Sequence, residues 1–244
     1  MKAFLLAAGH GTRLKPLTDT IPKCLLPVCG RPMLEIWLDI CARSGITDVL
    51  INVHAHAGAI QRHLARCDSP VRVRVVCEET LLGSAGTLAA NRRWVATEPA
   101  FWVLYSDVLT NANLPKILEF HLIHRPIATL GVYQVADPTR CGIAVTDAHA
   151  SIVEFEEKPK HPRGNLAFSG VIVASPSFVD HIPNRAPVDI GYDVLPQLVG
   201  RMKAYCIDDY LLDIGTLGNY ETAQRTWPGL RGQIERPSLI GEAL

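Results

Sequence analysis

The sequence predicts an α/β fold, in which a largely parallel mixed sheet lies between helices in a Rossmann-like, three-layer arrangement. Strand-like and helix-like segments alternate along the first half of the chain, which is typical of parallel sheets. Hydrophobic residues make up 48% of the sequence, enough for a large core. The length of 244 residues suits one domain of this class.

The elements of the first half follow from their local patterns. Residues 2–8 (KAFLLAA) form an apolar run typical of a buried strand, and 32–45 have a proline at the start and Gly45 at the end, as a helix does. Residues 71–79 alternate like a half-exposed strand. Further strands are expected at 47–53, 101–106 and 127–135, and further helices at 57–67, 84–93 and 114–125.

The second half has shorter strand-like segments. Strands are expected near 142–147, 151–156, 166–173 and 203–208, and helices near 175–181, 191–199 and 216–226. No linker or repeat separates the halves, so we expect one sheet, with the second half forming a lid or substrate wall. Residues 1–227 are expected to form a single domain, and 228–244, which contain several Pro and Gly residues, an irregular C-terminal extension.

Charge and cysteine content exclude several classes of protein. The 24 basic and 24 acidic residues balance, whereas binders of nucleic acid or membrane surfaces usually carry a basic excess. No apolar run reaches membrane-spanning length, and the N-terminal run is too short for a signal peptide. Seven scattered cysteines without a CxxC pair indicate reduced thiols. We therefore expect a cytoplasmic protein with no nucleic-acid or membrane partner.

A glycine-rich turn follows the first strand in the segment AAGHGTRLKP, residues 7–16. Gly9 and Gly11 allow a tight turn whose backbone N–H groups can face an anion. Arg13 can donate to two phosphate oxygens, and Lys23 can add a point charge. Taken alone, however, a single G-x-G favours a structural turn whose cations are merely solvated.

Two familiar phosphate-binding loops are excluded, and a metal site is not expected at the one HxH pair. A P-loop needs Gly-Lys, a dipeptide absent from this chain, and a dinucleotide fingerprint needs a glycine where Leu14 stands. The second strand ends near Asn52 rather than at an acidic residue that could bind a ribose. His54 and His56 could share a metal only with a third ligand, for which no pattern is present.

Six sequence blocks, in order, resemble sugar-phosphate nucleotidylyltransferases. The first, LLAAGHGTRLKPLTDTIPKCLLPVCGRPML, contains G-x-G-T-R-L followed by Pro-Lys. The others are EETLLGSAGTL (78–88), YSDVL (105–109), FEEKP (155–159), NLAFSGVIV (165–173) and LLDIGTLGNYETA (211–223). The resemblance implies the nucleotide-diphospho-sugar transferase type of α/β fold, with 1–227 as its catalytic domain.

The resemblance also implies a reaction and its residues. In this family a sugar 1-phosphate oxygen attacks the α-phosphorus of a nucleoside triphosphate, and pyrophosphate leaves. Mg²⁺, a hard cation that prefers oxygen ligands, is the implied cofactor. The implied nucleotide-binding residues are Ala7, Ala8, Gly9, Gly11, Thr12, Arg13, Lys23, Gly83 and Gly86. The implied sugar-phosphate residues are Glu157, Lys158, Asn165 and Gly170, the metal ligands Asp107 and Asp213, and the catalytic residues Arg13, Lys23, Asp107 and Lys158.

Three features depart from the family pattern. Cys24 replaces the second proline of Pro-Lys-Pro and is expected to be a small buried residue rather than a nucleophile. Ser106 replaces the glycine that usually precedes the metal-binding aspartate, and its side chain is expected to limit close approach to the backbone there. The sequence carries no appended hexapeptide-repeat or acyltransferase domain after the Asp213 block, so a stand-alone catalytic domain is expected.

The expected substrates are GTP and a manno-configured hexose or heptose 1-phosphate. The glutamate-led segment at 78–86 resembles the E-x-x-LG-x-AG of mannose and heptose 1-phosphate guanylyltransferases more than the glutamine-bearing segment of thymidylyltransferases. Uridylyl or thymidylyl transfer to another sugar 1-phosphate is the alternative. A non-catalytic, nucleotide-sugar-sensing subunit is a third hypothesis, disfavoured because Arg13, Lys23, Asp107, Lys158 and Asp213 are all retained. A homo-oligomer is possible.

Overall fold

The structure, a computed structural model, describes residues 1–230 and contains short strands and helices throughout this range. The strands are β1 (Lys2–Leu6), β2 (Pro27–Val28), β3 (Arg31–Pro32), β4 (Asp48–Val53), β5 (Arg72–Cys77), β6 (Phe101–Tyr105), β7 (Val108–Thr110), β8 (Ala128–Gln134), β9 (Gly142–Thr146), β10 (Ile152–Glu157), β11 (Leu166–Ala174), β12 (Met202–Cys206) and β13 (Leu211–Asp213). The α-helices are α1 (Met33–Arg43), α2 (Ala57–Leu64), α3 (Ser84–Ala90), α4 (Arg92–Val95), α5 (Leu114–His124) and α6 (Leu217–Thr226).

Nine strands from both halves of the chain form one sheet. Its main path runs β5-β4-β1-β6-β11-β8-β12, and the β9-β10 hairpin joins it at the beginning of β11. Pairing is parallel from β5 to β6 and between β8 and β12, and antiparallel on both sides of β11. The predicted mixed sheet is therefore confirmed, and β1, an interior strand between β4 and β6, leads directly into the glycine turn.

Helices cover both faces of the sheet, because successive side chains of a strand point to opposite sides. In β1, Ala3 and Leu5 belong to one core cluster together with residues of α1, α2, α5 and α6. Phe4 belongs to a second cluster on the opposite face, with residues of α3, α4 and several irregular helical turns. This produces the predicted three layers.

Two helices predicted in the second half are not α-helical. The segment expected at 175–181 is a 3-10 helix, Pro176–His181. The one expected at 191–199 is a π-helical turn, Ile190–Val194, followed by a 3-10 helix, Leu195–Leu198. Pro196 lies inside this second segment and has no backbone N–H to donate, which disfavours a continuous α-helix.

The end of the chain is described only in part. Residues 228–230 form neither helix nor strand, and Leu230 packs into the first core cluster. Residues 231–244, most of the predicted C-terminal extension, lie outside the described residues. Within 1–230, no helix combines the length and the apolar character needed to cross a membrane.

Candidate active site

The glycine turn begins where β1 leaves the sheet. β1 ends at Leu6, earlier than predicted, because the Ala7 N–H donates to the Asn52 side chain of β4 (2.8 Å) instead of to a backbone carbonyl. Gly11 adopts a left-handed conformation (φ 65°), and its carbonyl accepts from the Thr18 hydroxyl (2.8 Å). A Cβ on Gly9 would meet no protein atom within 4 Å, so the turn leaves open space at that residue.

A cavity of about 480 Å³ lies beside this turn. It contains most of the residues predicted to bind a nucleotide: Ala7, Ala8, Gly9, Gly11, Thr12, Arg13, Lys23 and Gly83. Asp107 lines the same cavity from the end of β6. The structure thus brings together residues from three separate sequence blocks, at the carboxyl ends of parallel strands, where α/β sheets bind ligands.

Protein packing restricts the side chains that fit at Gly83 and Gly86. Gly83 has a φ of 80°, and a Cβ there would collide with the backbone of Val188. Gly86 is buried, and its Cβ would lie 3.0 Å from that of Leu82. Gly83 lines the first cavity, but Gly86 lines neither this cavity nor the second one described below. Contact with the Val188 backbone therefore accounts for Gly83 and contact with Leu82 for Gly86, while close approach of a base or sugar to these glycines stays a prediction.

A buried polar network, not predicted as part of the site, forms one wall of the first cavity. Asn52 donates to Glu78 Oε1 (2.9 Å) and to the Thr87 hydroxyl (2.9 Å), and Thr87 donates to the same Glu78 oxygen (2.5 Å). The Leu82 N–H donates to Glu78 Oε2 (3.2 Å). The network connects the glycine turn, through Asn52, to the segment that begins at Glu78, and it orients a buried carboxylate at the cavity wall.

Two carboxylates and two cations meet at the edge of this cavity. Lys23 Nζ lies 2.6 Å from Asp107 Oδ2. Asp213 is held nearby because β13 pairs with β7, directly after Asp107, and the Ile214 N–H donates to the Asp107 carbonyl (2.9 Å). Burial raises the pKa of Asp213, and the neighbouring charge of Asp107 raises it further, while Lys23 and Arg13 oppose both effects.

Gly215 allows this cluster to form, a role that the sequence blocks did not single out. Its N–H donates to Asp213 Oδ1 (2.6 Å). A Cβ at this position would lie 2.7 Å from that oxygen, 2.9 Å from an Arg13 guanidinium nitrogen and 3.2 Å from Lys23 Nζ. The missing side chain at Gly215 therefore leaves room for these three groups to converge closely around it.

A second cavity, of about 320 Å³, adjoins the first. Arg13, Tyr105 and Asp107 line both cavities. The predicted sugar-phosphate residues Glu157, Lys158 and Gly170 line the second cavity, together with Asp213. Asn165 does not: it is exposed at the start of β11, where its carbonyl accepts from the Val135 N–H (3.0 Å). Two compartments therefore meet at Arg13 and Asp107.

Glu157 is fixed at the wall of the second cavity. A Cβ on Gly142 or on Gly191 would lie 2.5 Å from Glu157 Oε2. The carboxylate therefore packs against the backbone of these two glycines, where a side chain would displace it. Burial raises the pKa of Glu157, and Lys158, 3.5 Å away, opposes this shift. Lys158 has a left-handed backbone (φ 50°), and its ammonium group lies 5.4 Å from the centre of the Tyr192 ring.

The structure shows where two of the three departures from the family pattern lie. Cys24 is buried, and burial raises the pKa of its thiol to about 12, which disfavours a reactive thiolate. Ser106 is also buried, lines the first cavity, and donates its N–H to the Leu6 carbonyl (3.1 Å). All seven cysteines lie within the described residues, and none of them forms a disulfide there.

Comparison with known proteins confirms the family. Residues 2–228 match the family model described as nucleotidyl transferase, so the chain belongs to the nucleotidyl transferase family. It is 34% identical over 225 residues to a mannose-1-phosphate guanyltransferase of Pichia angusta, covering 88% of this chain and 61% of the relative. It is 31% identical over 235 residues to mannose-1-phosphate guanylyltransferase 1 of Arabidopsis thaliana, covering 93% and 64%. The chain thus spans somewhat under two thirds of the length of these curated relatives.

A solved structure shares the fold. A protein from Bacillus anthracis, provisionally named a glucose-1-phosphate thymidylyltransferase and solved with sucrose, superposes with a TM-score of 0.84. It is 25% identical to this chain, and the match covers 92% of this chain and 94% of that one. The predicted nucleotidyltransferase type of α/β fold is therefore confirmed.

Proposed function

We propose that this protein transfers a nucleotidyl group from a nucleoside triphosphate to a sugar 1-phosphate. The observation that carries the proposal is the pair of cavities that meet at Asp107 and Arg13. The first would hold the triphosphate beside the glycine turn, and the second the sugar 1-phosphate beside Lys158. A sugar-phosphate oxygen would then form a bond to the α-phosphorus as the bond to the departing pyrophosphate breaks.

The chain's own residues would act by positioning and charge stabilisation. Binding two anionic substrates side by side converts an encounter between them into a step within one complex, but their phosphates repel each other. Arg13 lines both cavities and Lys23 lies at the edge of the first, so both cations are placed to offset this repulsion and the charge that builds on the leaving pyrophosphate. No covalent intermediate on the protein is needed, consistent with a buried, protonated Cys24.

Asp107 and Asp213 fit the Mg²⁺ that family membership implies. They are neighbouring carboxylates at the junction of the cavities, and the buried Asp213 is disfavoured as an anion next to Asp107, a situation that a bound cation relieves. When bound, the cation would supply Lewis-acid stabilisation of the phosphate oxygens. Lys23, 2.6 Å from Asp107, would hold that carboxylate in position.

We further propose that the preferred nucleotide is GTP. Glu78 lines the first cavity, and an ionised carboxylate only accepts hydrogen bonds. Among residues 1–230, Glu78 Oε1 accepts from two donors and Oε2 from one, the Leu82 N–H, which leaves Oε2 with capacity to accept from a base. Guanine presents adjacent donors, N1–H and the N2 amino group, whereas uracil and thymine present a single N–H. The relatives named as mannose-1-phosphate guanylyltransferases support the same choice, with a manno-configured sugar 1-phosphate.

Pyrophosphate release with a panel of substrates tests this proposal. Each of the five common nucleoside triphosphates is offered with mannose, heptose and glucose 1-phosphates in the presence of Mg²⁺. GTP with a manno-configured sugar should be best, by at least about tenfold in kcat/KM over UTP and dTTP, equivalent to about 1.4 kcal/mol. Preference for dTTP would support the thymidylyl alternative, which the likeness to the Bacillus anthracis structure favours, and preference for UTP would support the uridylyl alternative. Nucleotide-sugar binding without turnover would indicate a sensing subunit.

A further inference from the structure

A cluster of metal-binding side chain types lies on the helical layer, outside both cavities. It contains Glu35 of α1, His63 of α2 and Cys67, three residues past the end of α2. One ligand atom from each residue lies within 4.8 Å of the other two. None of the three residues lines the first or the second cavity.

The backbone presents these side chains from two directions. The Cys67 N–H donates to the His63 carbonyl (3.0 Å), so the two residues are one helical turn apart and share a face. Glu35 approaches from α1, with Oε1 2.9 Å from His63 Nε2. An ion held by all three would therefore link α1 to the end of α2.

One buried atom of the cluster, His63 Nε2, has no hydrogen bond within residues 1–230. The atom is buried, and no residue in the described part of the chain forms a hydrogen bond of acceptable geometry with it, although the Glu35 oxygen is close. A buried polar atom without a hydrogen bond is costly, and each such atom calls for an explanation. A coordinated cation would satisfy this nitrogen and the Glu35 carboxylate together.

The charges around Cys67 favour a cation. Besides Glu35, the carboxylates of Asp39 and Asp68 interact electrostatically with the Cys67 thiol. The cation that interacts with it is Arg31. Arg31 is itself bonded to Asp39, with the two groups 2.9 Å apart. The Glu35 and His63 side chains remain 29% and 26% exposed, so an ion could reach the cluster from solvent.

We propose that Glu35, His63 and Cys67 bind a divalent transition-metal ion, with Zn²⁺ as the best match. Sulfur, imidazole nitrogen and carboxylate oxygen together are zinc ligands, whereas Mg²⁺ prefers oxygen alone. Bonds of about 2.0–2.3 Å in a tetrahedral site place ligand atoms roughly 3.3–3.8 Å apart, so closure requires shifts of about 1 Å. Water would complete the coordination, and the ion would stabilise the packing of α1 on α2.

Metal titration of the full-length protein tests this site. The metal-free, reduced protein is titrated with Zn²⁺, and separately with Co²⁺, in excess Mg²⁺ so that the oxygen ligands of the cavities are occupied. The wild type should bind one equivalent of Zn²⁺, gain thermal stability, and show a thiolate-to-cobalt charge-transfer band. Cys67→Ser should abolish that band and weaken Zn²⁺ binding more than tenfold, because even residues that only support a ligand contribute 10–100-fold.

Matched variants keep the result interpretable. Cys206→Ser changes an exposed cysteine elsewhere and should bind Zn²⁺ like the wild type. His63→Ala should lose binding like Cys67→Ser, and circular dichroism of the metal-free variants should show an intact fold. Absence of Zn²⁺ binding by the wild type, or a charge-transfer band that persists in Cys67→Ser, would overturn the proposal. Neither result bears on nucleotidyl transfer, since Cys67→Ser leaves both cavities unchanged.

Discussion

Asp107 is the residue on which the proposed chemistry depends most, because it lines both cavities and contacts Lys23. We predict that Asp107→Asn lowers kcat by at least about a hundredfold while the melting temperature changes little, since the residue is partly exposed and lies in a turn. Steady-state kinetics in Mg²⁺ and a thermal melt measure both. Near-normal turnover in a folded variant would remove Asp107 from the metal site.

Lys158 is expected to act on only one substrate. Lys158 lines the second cavity but not the first, whereas Arg13 lines both cavities. We predict that Lys158→Ala raises the KM for sugar 1-phosphate at least about tenfold, with the KM for the triphosphate within about twofold, because one charge-assisted contact to phosphate is lost. Lys160→Ala, an exposed neighbour outside both cavities, is the control and should match the wild type. A larger effect on the triphosphate would reverse the assignment of the two cavities.

Glu157 should make the stability of the substrate-free protein depend on pH. Because burial raises its pKa above the usual 4.5, the folded state holds the proton more tightly than the unfolded state does. Stability therefore falls as the pH rises through the folded pKa, and the cost remains at neutral pH. We predict that Glu157→Gln melts at a higher temperature than the wild type at pH 7, and that the difference shrinks as the pH falls toward 4.5 and is absent below that pH. A variant that is less stable at pH 7 would show that the charge is well accommodated.

The sequence blocks identify the residues with strong local signatures but not those whose role depends on distant contacts. Arg13, Lys23, Asp107 and Lys158 stand in recognisable motifs. Asn52 and Glu78, 26 positions apart, acquire their role only when β4 and the segment after β5 bring them together. The convergence of side chains around Gly215 likewise has no local sequence signal.

At the scale of elements, long segments of regular pattern were predictable and short ones were not. β1, α1 and β4 follow from apolar runs and helix-ending residues. β7 and β13 have three residues each, too few for a periodic pattern, yet their pairing places Asp213 beside Asp107. The 190–198 segment is irregular because Pro196 interrupts it and because Asp189 and Asp193 satisfy its backbone with side-chain bonds (Tyr192 N–H to Asp189, 3.0 Å).

The contact between the start of α3 and the Val188 backbone leads to a prediction at the scale of elements. Gly83 precedes α3 with a backbone conformation that other residues rarely adopt, and it packs on the Val188 backbone. We predict that Gly83→Ala costs about 2 kcal/mol of unfolding free energy or more, measured by urea denaturation. Gly218→Ala in α6, where a Cβ meets nothing within 4 Å, should be neutral or stabilising by about 0.5–1 kcal/mol. Equal effects of the two variants would contradict the role given to Gly83.

At the scale of the whole molecule, the site is built across the sheet. The parallel strands β1, β4 and β6 deliver Ala7, Asn52 and Asp107 to one edge, where the first cavity opens. The antiparallel additions, β11 and the β9-β10 hairpin, supply Gly170 and Glu157 to the second cavity. The sequence predicted a parallel first half followed by a substrate wall, and the structure shows how the two parts adjoin at Asp107.

The fate of the α-phosphate of GTP tests the central claim most directly. GTP labelled at the α-phosphorus, and separately at the γ-phosphorus, is incubated with mannose 1-phosphate, Mg²⁺ and the enzyme, and the products are separated. Nucleotidyl transfer predicts that the α label enters a nucleotide sugar whose formation matches that of pyrophosphate, and that the γ label appears only in pyrophosphate. The Asp107→Asn protein should give neither product at a comparable rate. A γ label in the sugar product, or no labelled sugar from any triphosphate and sugar 1-phosphate combination, would contradict it.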